Sequence, residues 1–389
     1  MSFQKRNISN GSSNWRGLFD QPHEAKFFSS LDGVILGVTV VLALGGLIAV
    51  FSASGYMANV RFESSPTLFF LRQTIWLMIG FVMLFALARL DYTVIRPYIP
   101  RVLVGCVGLL ALVLIAGSES HGARRWIDLS WFSMQPGELS KLAVVLYLAS
   151  YLAKPDLSIT TWQGGLLEPI LVVGTVCALL VFEDFGTPVV MGLVLVGLLF
   201  LAGARLLHLA VLALVVIPPA TALIASSPER VERLTSFLHP EQDPLNAGHQ
   251  LLQSFLAFNN GGIFGQGLGL GGQKLGYLPE AHTDFVLALI GEELGFIGTI
   301  GFLGLFVVLV LKGFRVAAQA PDLFGRYLAL GITLLLGVQV LMNAGVVSGL
   351  LPTKGLTLPL VSYGGSSLVT SMMAIGLLLS VARQRVLLH

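Results

Sequence analysis

An all-α integral membrane fold, with ten transmembrane helices and a large extracytoplasmic loop between spans seven and eight, is what this chain predicts. Three observations carry that expectation. Of 389 residues, 55% are hydrophobic and only 11% charged, and a mean hydropathy of +0.82 is far from that of soluble domains. Apolar runs long enough to cross a bilayer, about 17 to 25 residues each, recur near 31–54, 68–88, 102–117, 137–153, 164–182, 187–203, 206–226, 284–311, 326–348 and 364–382. A long polar stretch, 227–283, separates the seventh run from the eighth.

Residues 1–30 hold too little apolar surface to fold alone and are expected to be a flexible cytoplasmic tail ahead of a single membrane domain, 31–389. The first apolar run is itself of span length, so no cleavable signal is read there. With the N-terminus inside, an even number of spans puts both termini in the cytoplasm. Most of the 23 basic residues then fall in inner segments, Lys5, Arg6, Arg89, Arg96, Arg101, Lys312 and Arg315 among them, as the positive-inside rule requires. A formal charge of +2 with no massed basic patch argues against nucleic acid. Cys106 and Cys177 lie singly in apolar runs and suggest no metal site.

In this orientation the outer segments are 118–136, the turn Phe182–Thr187, 227–283 and 349–363. The stretch LPEAHTDFVLALIGEELGFIG, 278–298, sets Asp284 at the mouth of the eighth span after the bent, polar approach of Pro279, Glu280 and His282. A carboxylate in a first helical turn is favoured in its ionised form by the macrodipole. Asp284 therefore reads either as a capping acid or as an available base. At about 100° per residue, Glu292 is about 80° from Asp284 and Glu293 nearly opposite, so at most Glu292 shares its cavity.

The first outer loop, GARRWIDLSWFSMQPGELSKL, brings Arg124 and Arg125 and opens the fourth span at Pro136, a favoured first helical position. Glu138 and Lys141, three residues apart on that helix, are spaced to pair, and the cost of a charge in the bilayer demands a partner or a wet cavity for Lys141. In 227–283, Val231, Leu234 and Leu238 are spaced as one face of an amphipathic helix, fit for the membrane surface or for docking on the protein. Eight glycines follow between Gly261 and Gly276. They formally meet a dinucleotide fingerprint, but without a βαβ unit they read as tight bends or close backbone approach. The last outer loop offers Lys354, and Ser366 and Ser367 sit at the start of the tenth span, where free N–H groups favour an anion. Acids and cations on one membrane face, beside apolar walls, suit a substrate with a lipid tail and a phosphate head.

The ordered blocks GARRWI (122–127), QPGELSKL (135–142), DFGT (184–187), QLLQS (250–254), GGIFGQGLG (261–269), LPEAHTDF (278–285), GEELG (291–295) and PTKGLTLPLVSYGGSS (352–367) resemble those of the SEDS family of polytopic cell-wall polymerases, which build peptidoglycan glycan strands from lipid II. Pro352–Pro359, Ala281 and Gly291 resemble its division branch more than its elongation branch. The resemblance implies that Asp284 is the essential outer-loop aspartate and that Glu138 and Lys141 are the family's acid and lysine pair. It implies inner-membrane localisation at the septum, a class B penicillin-binding protein as transpeptidase partner, and other divisome proteins. Glu183 stands where members often carry Pro, and Gly137 where they often carry Ser.

The implied reaction moves a lipid-linked glycan onto a sugar hydroxyl with inversion, releasing undecaprenyl diphosphate. Asp284 would act as general base, with Asp184, Glu280, Glu138, His282 and Glu292 as secondary candidates. Arg124, Arg125, Lys141, Lys354, or a divalent ion such as Mg or Mn, would hold the leaving charge. A lipid II flippase and a non-catalytic division scaffold are the rival readings.

Overall fold

The computed structural model describes residues 31–61, 67–120, 123–129, 132–242, 248–275, 277–279 and 281–387; the expected tail, 1–30, and Glu280 lie outside the described residues. A helix stands on each expected apolar run. The order is α1 Gly33–Arg61, α2 Thr67–Arg89, α3 Ile99–Ala116, β1 Ser118–Ser120, β2 Ala123–Leu129, β3 Phe132–Met134, α4 Pro136–Leu152, α5 Leu167–Leu180, α6 Gly186–Leu201, α7 Leu206–Ala225, α8 Pro228–Leu238, α9 His249–Gly261, α10 Val286–Ala318, α11 Leu323–Val347 and α12 Gly365–Leu387. Among the described residues, eight helices are long and apolar enough to cross a membrane, and α6 is a shorter apolar helix. The 17-residue α4 begins at Pro136 as expected and carries Glu138 in its first turn.

The helices divide by what surrounds them. The apolar stretch of α12 is 78% buried and that of α11 61%, against 11% for α7, so α11 and α12 form the centre and α7 the rim. The α12–α2 crossing is close because Gly376 lies against backbone: a Cβ there would sit 2.6 Å from the Leu84 carbonyl oxygen. Small residues permit such approach where neighbouring helices, rather than water exclusion, must supply the attraction.

Two of the segments expected outside the cytoplasm hold structure beyond the helices expected. The first is a three-stranded antiparallel sheet in the order β1-β2-β3, with Ile127 opposite Met134 and Leu129 opposite Phe132. The second is α9, which lays Leu251, Ser254, Ala257 and Gly261 inward, the spacing of one helical stripe. The amphipathic helix is present as α8, with Val231, Leu234 and Leu238 exposed.

The continuous eighth span expected over 284–311 is instead a helix interrupted at Gly295, whose φ of 68° and ψ of −166° leave the helical region. The glycine-rich loop after α9 enters this break. Gln266 N–H donates to the Glu292 carbonyl at 3.0 Å and Gly267 N–H to that of Glu293 at 3.0 Å, while Phe296 N–H donates to the Gly262 carbonyl at 2.9 Å and Ile297 N–H to that of Ile263 at 3.2 Å. Backbone groups freed by the interruption thus find partners, the condition for an irregular segment at membrane depth. The exchange requires glycine on both sides: Gly265, at φ +80°, would bring a Cβ to 2.2 Å from the Glu293 carbonyl oxygen.

The two acids beside the break bind the same loop. Glu292, fully buried, accepts from the N–H groups of Gly272 at 3.0 Å and Gln273 at 3.1 Å. Glu293 pairs with Lys274 at 3.0 Å and also accepts from Ser52 of α1. The glycines therefore serve bends and approach to another backbone. The broken helix is thereby joined to this loop by backbone and side chain.

Gly261 tests the arrangement, since a Cβ there would lie 2.0 Å from the Gly291 carbonyl oxygen, whereas one at Gly301 of the same α10 meets nothing within 4 Å. Gly261→Ala is expected to destabilise by about 1–3 kcal/mol through overpacking against backbone, and Gly301→Ala to be neutral within about 0.5 kcal/mol. Thermal unfolding of the two variants in detergent checks this; equal melting temperatures would refute the close approach.

Candidate active site

The segments expected outside the cytoplasm converge on one cavity of about 1110 Å³. Asp284 and His282 reach it from the approach to α10, Arg125 from β2, Glu138 from α4, Glu183 and Asp184 from the α5–α6 turn, Arg230 and Arg233 from α8, Lys354 from the α11–α12 loop, and Ser366 and Ser367 from α12. Trp76, Phe182, Phe185 and Leu356 add apolar wall.

Asp284 stands one residue ahead of the N-cap of α10, which is Phe285 and makes no side-chain cap, and the first turn of α10 contains no acid. Its backbone carbonyl accepts from Asn343 Nδ2 at 2.8 Å, and the same amide donates to the Leu356 carbonyl at 2.6 Å. Asn343, a buried polar residue within a span, thus ties the Asp284 approach to the last outer loop. That loop also closes on the carboxylate, for a Cβ on Gly355 would lie 3.0 Å from Asp284 Oδ2. Beside it, the His282 ring packs edge-on to Phe69, its centroid 5.7 Å away, and tilted against Tyr363 at 5.5 Å.

Strand alternation separates the two arginines, because successive side chains of a strand point to opposite faces. Arg125 lines the cavity. Arg124 is exposed and donates through Nη1 to the Ile115 carbonyl at 2.8 Å, meeting the negative end of α3. Glu138 and Lys141 form the expected pair at 2.8 Å, both buried, but only Glu138 lines the cavity. Glu292 does not line it; the expectation of a shared cavity assumed an unbroken helix, and its carboxylate is turned instead to the glycine loop.

The hydroxyls at the start of α12 are engaged. Ser366 accepts from Gln135 N–H at 3.0 Å, and Ser367 shares a 2.8 Å hydrogen bond with Thr357. Both are buried in the wall, joining α4 and the last outer loop to α12. Asp184 accepts from the N–H groups of Gly186 at 3.0 Å and Thr187 at 2.9 Å, and from the Thr187 hydroxyl. It is the clasp of the turn.

Two groups carry shifted acidities. Burial lowers Lys354 to about 8, against the upward pull of Asp184, with Arg230 and Arg233 adding to the fall. Its ammonium lies 3.7 Å over the Phe185 ring, and the Arg230 guanidinium lies 5.7 Å from the same ring, a geometry in which the ring face attracts cations. Burial likewise pushes Glu183 up to about 7, against the pull of Arg125 and with the push of Asp184. Arg230 and Arg233 are absent from the sequence-derived candidates. Their three-residue spacing on α8 was the available signal, and it was spent on the apolar face.

Chemically, the cavity holds Asp284 together with cations that can hold an anionic head, beside apolar surface that can take a lipid. Residues 33–387 match the family of cell cycle proteins represented by FtsW, RodA and SpoVE. The chain is 44% identical over 354 residues to a probable peptidoglycan glycosyltransferase FtsW of Geobacter metallireducens, covering 90% of this chain and 94% of that one. It is 41% identical over 358 residues to stage V sporulation protein E of Bacillus subtilis, covering 91% and 98%. Among solved structures, it aligns with TM-score 0.75 and 30% identity to a chain of a peptidoglycan synthase complex that coordinates polymerization and crosslinking, over 91% of this chain and 98% of that one. Rod shape determining protein RodA of Thermus thermophilus aligns with TM-score 0.68 and 30% identity, over 91% and 97%. A match that runs through every helix and every wall of the cavity means that this chain belongs to the FtsW/RodA/SpoVE family of membrane-embedded cell cycle proteins.

Proposed function

We infer that this chain is a peptidoglycan glycosyltransferase that polymerises lipid II into glycan strands during septal cell-wall synthesis, releasing undecaprenyl diphosphate. The observation that carries this reading is the placement of Asp284 in one cavity with Arg125, Arg230, Arg233 and Lys354. The relatives named FtsW support the division role. The likeness to a chain of a peptidoglycan synthase complex supports a class B penicillin-binding protein as transpeptidase partner, alongside other division proteins.

In this mechanism Asp284 takes the proton of the acceptor sugar hydroxyl as its oxygen attacks the anomeric carbon of the donor. An α-linked donor then gives a β-linked product by a single displacement. Diphosphate departs without an acid, so what it needs is positive charge fixed in place before the reaction. Arg125 and Lys354, with Arg230 and Arg233 from α8, supply it. Among the described residues no three His, Cys, Asp or Glu side chains gather as a metal site; a divalent ion such as Mg or Mn, brought with the diphosphate, would share the leaving charge with these cations. Lys141 acts behind the wall, holding the Glu138 carboxylate in place.

The chain crosses the membrane several times, and we take the number of crossings as ten with both termini cytoplasmic. A cysteine placed at Asn259, at the end of α9, should then react with impermeant reagents added from outside the cytoplasm. Labelling only from the cytoplasmic side would overturn this topology and the catalytic reading with it.

Asp284→Asn keeps the shape and hydrogen-bonding reach of the side chain and removes its basicity. The variant is expected to insert, fold and bind its partner, while the rate of strand synthesis from lipid II falls by about 10² to 10⁴, the contribution of positioned proton transfer. A rate within a few-fold of the parent in a purified polymerisation assay would remove Asp284 from the role of base.

A further inference from the structure

Among the described residues, the carboxylate of Glu183, which lines the cavity, makes no side-chain hydrogen bond. Its side chain is 2% exposed, and neither carboxylate oxygen has a partner. Arg125 is in a matching state, its buried Nε–H meeting no acceptor. The two groups sense each other's charge, yet they share no hydrogen bond. Buried polar groups in folded proteins are paired almost without exception, so two unpaired groups on one cavity wall mark a place that a ligand completes.

The neighbours of Glu183 narrow what that ligand is. On its own turn, Asp184 is occupied by Gly186 and Thr187. On α4, a Cβ on Gly137 would lie 3.6 Å from Glu183 Oε2, and the adjacent Glu138 is closed off by Lys141. From the last outer loop, Lys354 lies over Phe185, two residues along the chain from Glu183. Among the described residues no cation forms an ion pair with Glu183, and a carboxylate left buried in that state favours its proton. A protonated Glu183 donates, and Arg125 donates. The group that accepts from both and welcomes positive charge is a phosphoryl group.

Resting on the polymerase reading, we propose that Glu183 is a leaving-group-binding residue, which as a neutral carboxylic acid donates a hydrogen bond to a phosphoryl oxygen of the lipid diphosphate seated on Arg125. As the acceptor oxygen bonds to the anomeric carbon, the carbon–oxygen bond to the diphosphate breaks and its electron pair stays with the diphosphate. The hydroxyl proton goes to Asp284, and Glu183 keeps its own. Ionised, Glu183 competes for Arg125 and repels the diphosphate.

The sign with pH follows. Glu183 titrates at about 7, above the ordinary 4.5, so the donor is present below neutrality and lost as pH rises through that value. Strand synthesis from lipid II by the full chain with its transpeptidase partner, measured at about pH 6 and about pH 8, should fall roughly tenfold more in the parent than in Glu183→Gln, whose amide donates at both. Glu183→Leu, with no donor, should be slower than the Gln variant at both. Calorimetric binding of farnesyl diphosphate to the detergent-purified chain gives a readout independent of turnover. Its affinity should weaken about tenfold more across that interval in the parent than in the Gln variant, a comparison in which the titration of the diphosphate itself cancels. Equal pH responses of parent and Gln variant in both measurements overturn the assignment. Normal, pH-dependent binding by a parent that makes no strands would instead overturn the polymerase reading and leave the diphosphate site standing.

Discussion

The site depends on a backbone exchange at Gly295. A helix interrupted within a membrane exposes N–H and C=O groups that lipid cannot satisfy, and here the glycine-rich loop supplies the partners on both sides of the break. Glu292 and Glu293 then bind that loop by side chain. The segment of α10 before the break is buried from Val286 to Glu293, whereas Phe296 and Ile297 just after it are exposed. A short, enclosed helical piece thus carries Asp284 at its head. It is locked at one end by the loop and at the other by Asn343.

The charges follow one rule, that an ionised group removed from water needs a partner of its own. Glu138 has Lys141, Glu293 has Lys274, and Asp184 has the N–H groups of its turn. These satisfied groups make a rigid wall. On the cavity wall, Glu183 and Arg125 depart from the rule, each with a buried polar atom that meets no partner among the described residues. Polar groups left incomplete by the fold stand where a ligand can finish the set, so the departures fall at the place where binding energy is useful.

The cavity is also an assembly of segments far apart in the chain. Gln135 at the start of α4 meets Ser366 of α12, and Asn343 of α11 meets both the α10 approach and Leu356. Such ties hold the loops around the cavity together, giving its charged groups a fixed placement of the kind electrostatic catalysis requires. The amphipathic α8 brings Arg230, Arg233 and Leu234 to the cavity while leaving Val231 and Leu238 exposed. A helix that offers charge to the cavity and leaves apolar side chains exposed suits a membrane surface.

Sequence alone determined the membrane class, the place of every long helix, the pairing of Glu138 with Lys141 and the candidacy of Asp284. These follow from local quantities: run length against bilayer thickness, helical spacing, and the cost of a lone charge in lipid. Tertiary structure decided the rest. Arg124 and Arg125 are adjacent and alike, and only the strand between α3 and α4 turns one to the cavity and the other to a helix end. An unbroken helix would place Glu292 nearer the cavity of Asp284, and nothing local announces that a loop from the preceding segment enters at Gly295. Arg230, Arg233 and Asn343 reach the site from separate elements, and Glu183 acquires its unpaired burial from neighbours on α4 and β2. Periodicity and composition describe what a segment presents. Which segments meet, and so which polar groups are left without partners, is a property of the packed whole.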